Sequence, residues 1–257
     1  MIDTDNVGVT ISKKRILESL SIHVDEGEFV GLIGPNGSGK STLLKTIYRV
    51  LKPTDGAVFI GGENIDDMTL GQSALKVSVV SQHNYYNFDF TVEEVVMMGR
   101  APHKKSMELD NAEDLRIVSE CLEKVCMDDY RDRNFFTLSG GEQQRIILAR
   151  ALAQETPCIL LDEPTNHLDI RFQLQILDLV KTLGSTVLCA LHDMNLAAAY
   201  CDRIYLLKDG EVCSEGTPEE VLTEEMIKRV YGVEAFVEKN RHTGHLNIVY
   251  RSALPPD

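Results

Sequence analysis

The feature that most constrains this chain is Gly34-Pro35-Asn36-Gly37-Ser38-Gly39-Lys40-Ser41, which follows the apolar run FVGLI and opens the helical pattern STLLKTIYRV. A glycine-rich loop between a buried strand and a helix start commits the chain to an α/β sheet with the loop at its C-terminal edge. The glycines let successive backbone N–H groups close around phosphate oxygens, and the helix N-terminus adds positive potential. Lys40 then reaches the outer phosphates and Ser41 offers an oxygen to Mg²⁺; with Thr42 they complete a candidate ATP-binding segment.

The rest of the chain agrees with such a core. Short apolar runs (EFVGLIG, VSVV, CILLD, TVLCAL, RIYLL) alternate with helical patterns over 39–50, 139–153 and 170–183, the βαβ signal of a largely parallel sheet. Ahead of it, VGVTISKKRIL and SLSIHVDEGE are expected to pair as strands of a small antiparallel sheet, to which AVFIGGENI adds a strand and a Gly-Gly turn. Between Ser81 and Cys158 the apolar spacing in TVEEVVMMG and LRIVSECLEKVCM predicts a helical insertion. After Asp209 the pattern predicts a closing hairpin and two short helices, the first entered through Thr217-Pro218, with SALPPD as a loose tail. No repeat or heptad run is present, which disfavours a tandem chain or a coiled-coil ATPase.

Two carboxylates end the run CILLD: Asp162 and Glu163. At the C-terminal edge of a parallel strand, Asp162 is placed to hold the Mg²⁺ shell. Glu163, one residue on and pointing elsewhere, is the candidate to orient or deprotonate an attacking water. An Asp-Glu pair after a strand is more often a helix-start device, so its weight comes from the phosphate loop. Leu138-Ser139-Gly140-Gly141-Glu142-Gln143-Gln144-Arg145 reads by itself as an N-cap with a flexible approach to the helix IILARALA.

Composition narrows the partners. Forty acidic against 26 basic side chains give a formal charge of −14, which repels nucleic acid and anionic lipid alike, so no nucleic-acid partner is expected and membrane attachment should run through a protein. No run approaches the roughly 18 apolar residues that span a bilayer, and the start MIDTDNVGVT lacks a secretory pattern, so a cytosolic location is expected. The cysteines Cys121, Cys126, Cys158, Cys189, Cys201 and Cys213 form no CxxC pair and are expected to be reduced, buried thiols. His242 and His245 are too few for a metal site and read as surface or structural residues.

LSGGEQQR shortly before LLDEP, with GPNGSGKST upstream, resembles the ATP-binding cassette family over roughly Val7 to Val233. The resemblance implies a P-loop NTPase fold with a RecA-like core, an N-terminal antiparallel β subdomain and a helical signature subdomain. Residues 1–82 and 156–257 would form the nucleotide-binding core, and 83–155 the signature subdomain. It also implies a head-to-tail dimer with a second copy of the chain, in which Ser139, Gly140, Gly141 and Gln143 of one copy clamp the ATP held by the other. Gln82 matches the glutamine that contacts Mg²⁺ and the attacking water, His192 the switch histidine at the γ-phosphate, and Asn166-His167-Leu168-Asp169 the loop coupling the two sites. Ile11 stands where relatives carry an aromatic residue that stacks on adenine, which puts base selectivity in question.

The segment Phe90–His103, FTVEEVVMMGRAPH, is similar to cassettes of bacterial importers of iron-siderophore complexes, haem and vitamin B12. That likeness implies permease subunits in the membrane, a substrate-binding protein acting through them, and a peripheral place on the cytoplasmic face. As a plain sequence, the same segment is a helix ended by Gly99 and Pro102. Motors for metal ions or export, and a soluble cassette assisting iron–sulfur assembly, stay open beside this reading.

Overall fold

The computed structural model describes residues 1–81, 89–105, 108–166 and 168–253. It divides into two compact units, Met1–Asp67 with Thr186–Asp257, and Met68–Ser185. In chain order the elements are β1 (Ile2–Ile11), β2 (Lys14–Leu20), β3 (His23–Val24), β4 (Phe29–Ile33), α1 (Lys40–Ile47), β5 (Asp55–Ile60), β6 (Glu63–Asn64), α2 (Leu70–Ala74), β7 (Val77–Val80), α3 (Val92–Met97), α4 (Ala112–Lys124), α5 (Gly140–Ala153), β8 (Cys158–Asp162), α6 (Ile170–Thr182), β9 (Thr186–Ala190), α7 (Met194–Tyr200), β10 (Arg203–Lys208), β11 (Glu211–Gly216), α8 (Pro218–Val221), α9 (Glu224–Tyr231), β12 (Val233–Lys239) and β13 (Leu246–Ala253).

The first unit carries an antiparallel sheet ordered β2-β1-β5-β6, with β3 also on β1, and a second sheet in which β10, β4 and β9 run parallel. Every residue of β4 and β9 is buried, as expected of parallel strands covered on both faces. β11 closes the edge as the antiparallel partner of β10, through a turn in which Asp209 and Gly210 both have positive φ. The antiparallel sheet forms where it was anticipated, but its hairpin turn does not. The chain reverses at Ser12-Lys13, inside VGVTISKKRIL, where φ is +48° and +68°. Two left-handed residues in succession match the twist of a two-residue hairpin, and they occur here without the Asn-Gly signal that normally announces it.

In the second unit β7 and β8 pair in parallel, with register Val80 to Leu161, and α3, α4 and α5 pack on one another in the stretch between them. Starts are written into the sequence. Thr69 with Gln72, Thr91 with Glu94, Asn111 with Asp114 and Ser139 with Glu142 each form a reciprocal capping box, satisfying two N–H groups a helix start would leave open. A 3₁₀ turn, Met98–His103, follows α3 and contains Pro102. In this turn Gly99 passes so close to α5 that an added Cβ would lie 2.2 Å from the Arg150 carbonyl oxygen.

All six cysteines are free. Cys121, Cys158, Cys189 and Cys201 are buried; Cys213 is half-buried, and Cys126 is exposed, contrary to the expectation of uniform burial. Cys126 follows the C-cap of α4 with φ +54°, in the turn that takes the chain out of the helix. Beyond α9 a strand precedes the anticipated LNIVY: VEAFVEK forms β12, and β12–β13 is an antiparallel hairpin.

Candidate nucleotide site

The phosphate loop leaves β4 at Ile33, and α1 begins at Lys40 with Gly39 as its N-cap at φ +105° and no side chain closing the helix start. No acidic residue occupies the first turn of α1, so the helix dipole there favours an anion. Lys40 is buried, and its Nζ donates to the carbonyls of Gly34 at 2.6 Å and Pro35 at 3.2 Å, drawing the loop round the ammonium. The Ser38 hydroxyl is buried with no hydrogen-bond partner among the described residues. Gly37, at φ +82°, has open space where a side chain would stand. A cradle of this kind, with a buried cation, an uncapped helix start and an unsatisfied hydroxyl, fits phosphate oxygens and their Mg²⁺.

The loop is held from behind. Gly210, in the β10–β11 turn, donates its N–H to the Ser38 carbonyl at 3.2 Å and its carbonyl accepts from Glu18 N–H at 3.0 Å. A Cβ on Gly34 would meet the Leu207 carbonyl at 2.1 Å, and one on Gly39 would meet the Leu17 side chain at 2.4 Å. Sequence alone marked these glycines as loop-formers; that β2 and β10 need them small is visible only in the fold.

His192 lies two residues beyond β9. Because β4 and β9 are parallel neighbours, with Leu32 opposite Ala190 and Leu191 N–H bonded to the Leu32 carbonyl at 3.0 Å, His192 and the phosphate loop leave the sheet at the same edge. Asp193 caps α7 by accepting from the N–H groups of Asn195 and Leu196.

In the second unit Asp162 is buried at the end of β8, and Glu163 follows it with φ +55°. A carboxylate residue with left-handed backbone is uncommon and is held here by Asn166, whose side-chain amide donates to Glu163 Oε2 while its N–H bonds the Glu163 carbonyl at 3.2 Å. The anticipated Gln82 and His167 lie outside the described residues; β7, which leads toward Gln82, ends beside β8 at the edge where Asp162 emerges.

The signature residues open α5. Ser139 Oγ donates to Glu142 Oε2 at 2.7 Å, and Glu142 is held below the usual carboxylate range chiefly by that bond and then by the Ser139 N–H. Gly140 has open space around it, whereas Gly141 faces the ring of Phe172. Gln143 donates to the carbonyls of Leu138 and Phe135, at 3.1 and 3.4 Å. Gln173 does the same at the start of α6, donating to Thr165 and Leu168 at 3.0 Å each. These two glutamines thus tether the turns that lead into their helices, a role the sequence did not suggest. Ile11 closes β1 and is 41% exposed, and His242 and His245 are exposed beyond β12.

A phosphate cradle on a parallel-sheet edge, opening a helix behind a buried lysine, defines a P-loop nucleotide-binding α/β protein. The family model described as ABC transporter matches residues 17–166. The chain is 41% identical to the petrobactin import ATP-binding protein FpuC of Bacillus anthracis, covering 91% of this chain and 88% of that one. It is 40% identical to the hemin import ATP-binding protein HmuV of Pseudomonas aeruginosa, covering 98% and 100%. Among solved structures it is similar to MJ0796, a bacterial ABC transporter cassette in dimeric form, with TM-score 0.75, 34% identity and coverage of 85% and 99%. The chain belongs to the ABC transporter family, as one of its ATPase subunits that use ATP with Mg²⁺.

Proposed function

We propose that this chain is the motor subunit of an importer for an iron complex, a ferric siderophore or haem, or for the related cobalamin. The observation that carries this reading is the nearly end-to-end likeness to import subunits for petrobactin and hemin. The Phe90–His103 segment supports it. The chain would work as a dimer with a second copy, bound at the cytoplasmic face to permease subunits that receive cargo from a substrate-binding protein. No helix among the described residues is long and apolar enough to cross a membrane, so the route for cargo must come from those permeases.

Residues 1–82 and 156–257 act as the nucleotide-binding core in this reading, and 83–155 as the signature subdomain. The loop Gly34–Thr42 binds the phosphates, with Lys40 on the outer ones, and Ser41, Gln82 and Asp162 would hold Mg²⁺. When bound, the ion neutralises charge on the outer phosphates. Glu163 takes a proton from the attacking water as its oxygen bonds the γ-phosphorus and the bridge to the β-phosphate breaks, giving ADP and phosphate. Lys40 and His192 stabilise the charge on the transferring group, and Ser139, Gly140, Gly141 and Gln143 of the second copy close over it. The Ser139 hydroxyl, engaged with Glu142 in this structure, has to turn toward the nucleotide for that closure. Binding closes the dimer and hydrolysis reopens it, which drives alternating access in the permease.

The test is affinity capture of the tagged chain from gently solubilised native membranes, followed by reconstitution with the recovered permease and uptake of labelled ferric siderophore, haem and cobalamin. ATP-dependent uptake of one of them is expected. Recovery of soluble proteins alone, or a permease that moves none of the three, would overturn the importer reading.

A further inference from the structure

The segment after β11, which the nucleotide site described above does not use, folds back onto that site at two points. α9 buries Ile227 and Val230 and ends at Gly232 with φ +65°, which turns the chain into β12–β13. Tyr231, the last residue of α9, has a buried hydroxyl that completes no hydrogen bond among the described residues. The group facing it is the Gly34 N–H, at the entrance of the phosphate loop, whose carbonyl side is held by Lys40.

The second point lies three residues beyond His192. The Asn195 side chain meets the β13 backbone as another strand would: its Oδ1 accepts from Ile248 N–H at 2.8 Å and its Nδ2 donates to the Ile248 carbonyl at 3.2 Å. Ile248 is buried. Burial keeps the Tyr231 phenol protonated well above its ordinary range; Tyr250, two residues beyond Ile248, is exposed. A two-bond amide clasp therefore holds the first turn of α7, and with it the position of the residue just ahead of Asp193.

We propose that α9 and the β12–β13 hairpin form a brace for ATP hydrolysis, which sets the distance between the phosphate loop and His192 through Tyr231 on one side and the Asn195–Ile248 clasp on the other. The proposal rests on the role given above to His192. Asn195 is a positioning residue in this scheme: it touches neither nucleotide nor water and acts only through the imidazole two residues beyond β9. The hairpin carries Phe236 and Val249 exposed opposite each other, and among the described residues β12 and β13 pair only with one another.

The experiment is a double-substitution cycle in the full chain, reading steady-state ATP hydrolysis and thermal midpoint for Asn195→Ala, His192→Ala and the pair. Asn195→Ala is expected to lower kcat about tenfold with KM for MgATP within about twofold, because an interaction felt only at the reacting group has been disturbed. In the His192→Ala background the same substitution should change kcat by less than about twofold, since the group it positions is gone. An equal loss in both backgrounds, or an unchanged kcat in Asn195→Ala, would overturn the brace while leaving His192 in place. A fully active His192→Ala chain would overturn the role of His192 and the brace together. If Asn195→Ala does not fold, Asn195→Asp keeps the bond from Ile248 N–H, loses the one to its carbonyl, and carries the same cycle.

Discussion

Glu163 is the residue at which local conformation and chemistry conflict most openly. Its φ of +55° is a region where a Cβ crowds the following carbonyl, at a cost of about 1–2 kcal/mol, and Asn166 holds it there with a side-chain bond. Stored strain of this sort persists where surrounding contacts over-determine the backbone, as the two bonds from Asn166 do here. At an ordinary position, replacing a residue by glycine is more damaging than replacing it by alanine, by about 0.5–1 kcal/mol. At Glu163 the order should reverse: only alanine retains the left-handed penalty, and with glycine's entropic cost set against it Glu163→Gly is expected to be more stable than Glu163→Ala by about 0.5–1 kcal/mol in urea unfolding. Both should hydrolyse ATP at least about 100-fold more slowly than the parent chain. A Glu163→Gly chain less stable than Glu163→Ala by about 0.5–1 kcal/mol, the ordinary order, would show that the backbone at this position carries no strain.

At the scale of elements, the Phe90–His103 segment acquires a physical reason for its residues. Gly99 lets the 3₁₀ turn lie against α5, and buried Arg100 donates to the Ala153 carbonyl at 2.7 Å, to Glu155 at 2.7 Å and to buried Asp114 at 3.0 Å. Burial alone would push the Asp114 carboxyl up, but Arg100, the Asn111 N–H and Lys104 outweigh it and leave it below the usual range. His103 faces the Gln154 carbonyl at 2.8 Å, and Gln154 donates to the Val77 carbonyl at 3.0 Å, so Gln154 at the end of α5 joins both this turn and β7. Arg100→Ala should therefore cost about 3–5 kcal/mol, since it leaves Asp114 buried without its main counter-charge, whereas Arg100→Met with Asp114→Leu should recover most of that loss. Urea midpoints of the single and double variants check this, and a single-variant loss under about 1 kcal/mol would mean the pair is not structurally important.

The same segment shows what could be read from sequence. The strand cores FVGLI, CILLD and TVLCAL were legible because they are continuous apolar runs, α3 because of the apolar spacing in TVEEVVMMG, and α5 because Ser139 announces its cap. The roles of Arg100, Gln143 and Asn195 were not legible, because each acts on backbone groups distant in sequence or in a preceding turn that no spacing rule connects. The Ser12-Lys13 reversal escaped for a different reason: its left-handed pair is imposed by strand twist on residues that do not favour it.

For the whole molecule, the dominant long-range quantity is charge. Two copies of a chain carrying −14 repel each other as they approach, and bound ATP increases that repulsion, so closure of the proposed dimer has to overcome a field that short-range contacts do not remove. The screening length shrinks from about 30 Å at 0.01 M salt to about 10 Å at 0.1 M, which weakens repulsion between whole bodies far more than contacts within a closed interface. Glu163→Gln is the variant suited to reveal this, because it removes the carboxylate of the proposed base from each chain and should bind ATP without hydrolysing it. With saturating ATP it is expected to sediment as a dimer, and its dissociation constant should fall at least about threefold as salt rises from about 0.02 to about 0.2 M. A dimer that loosens with salt would mean that ion pairs across the interface outweigh the net repulsion, and a Glu163→Gln chain that hydrolyses ATP at the parent rate would remove Glu163 from the chemistry.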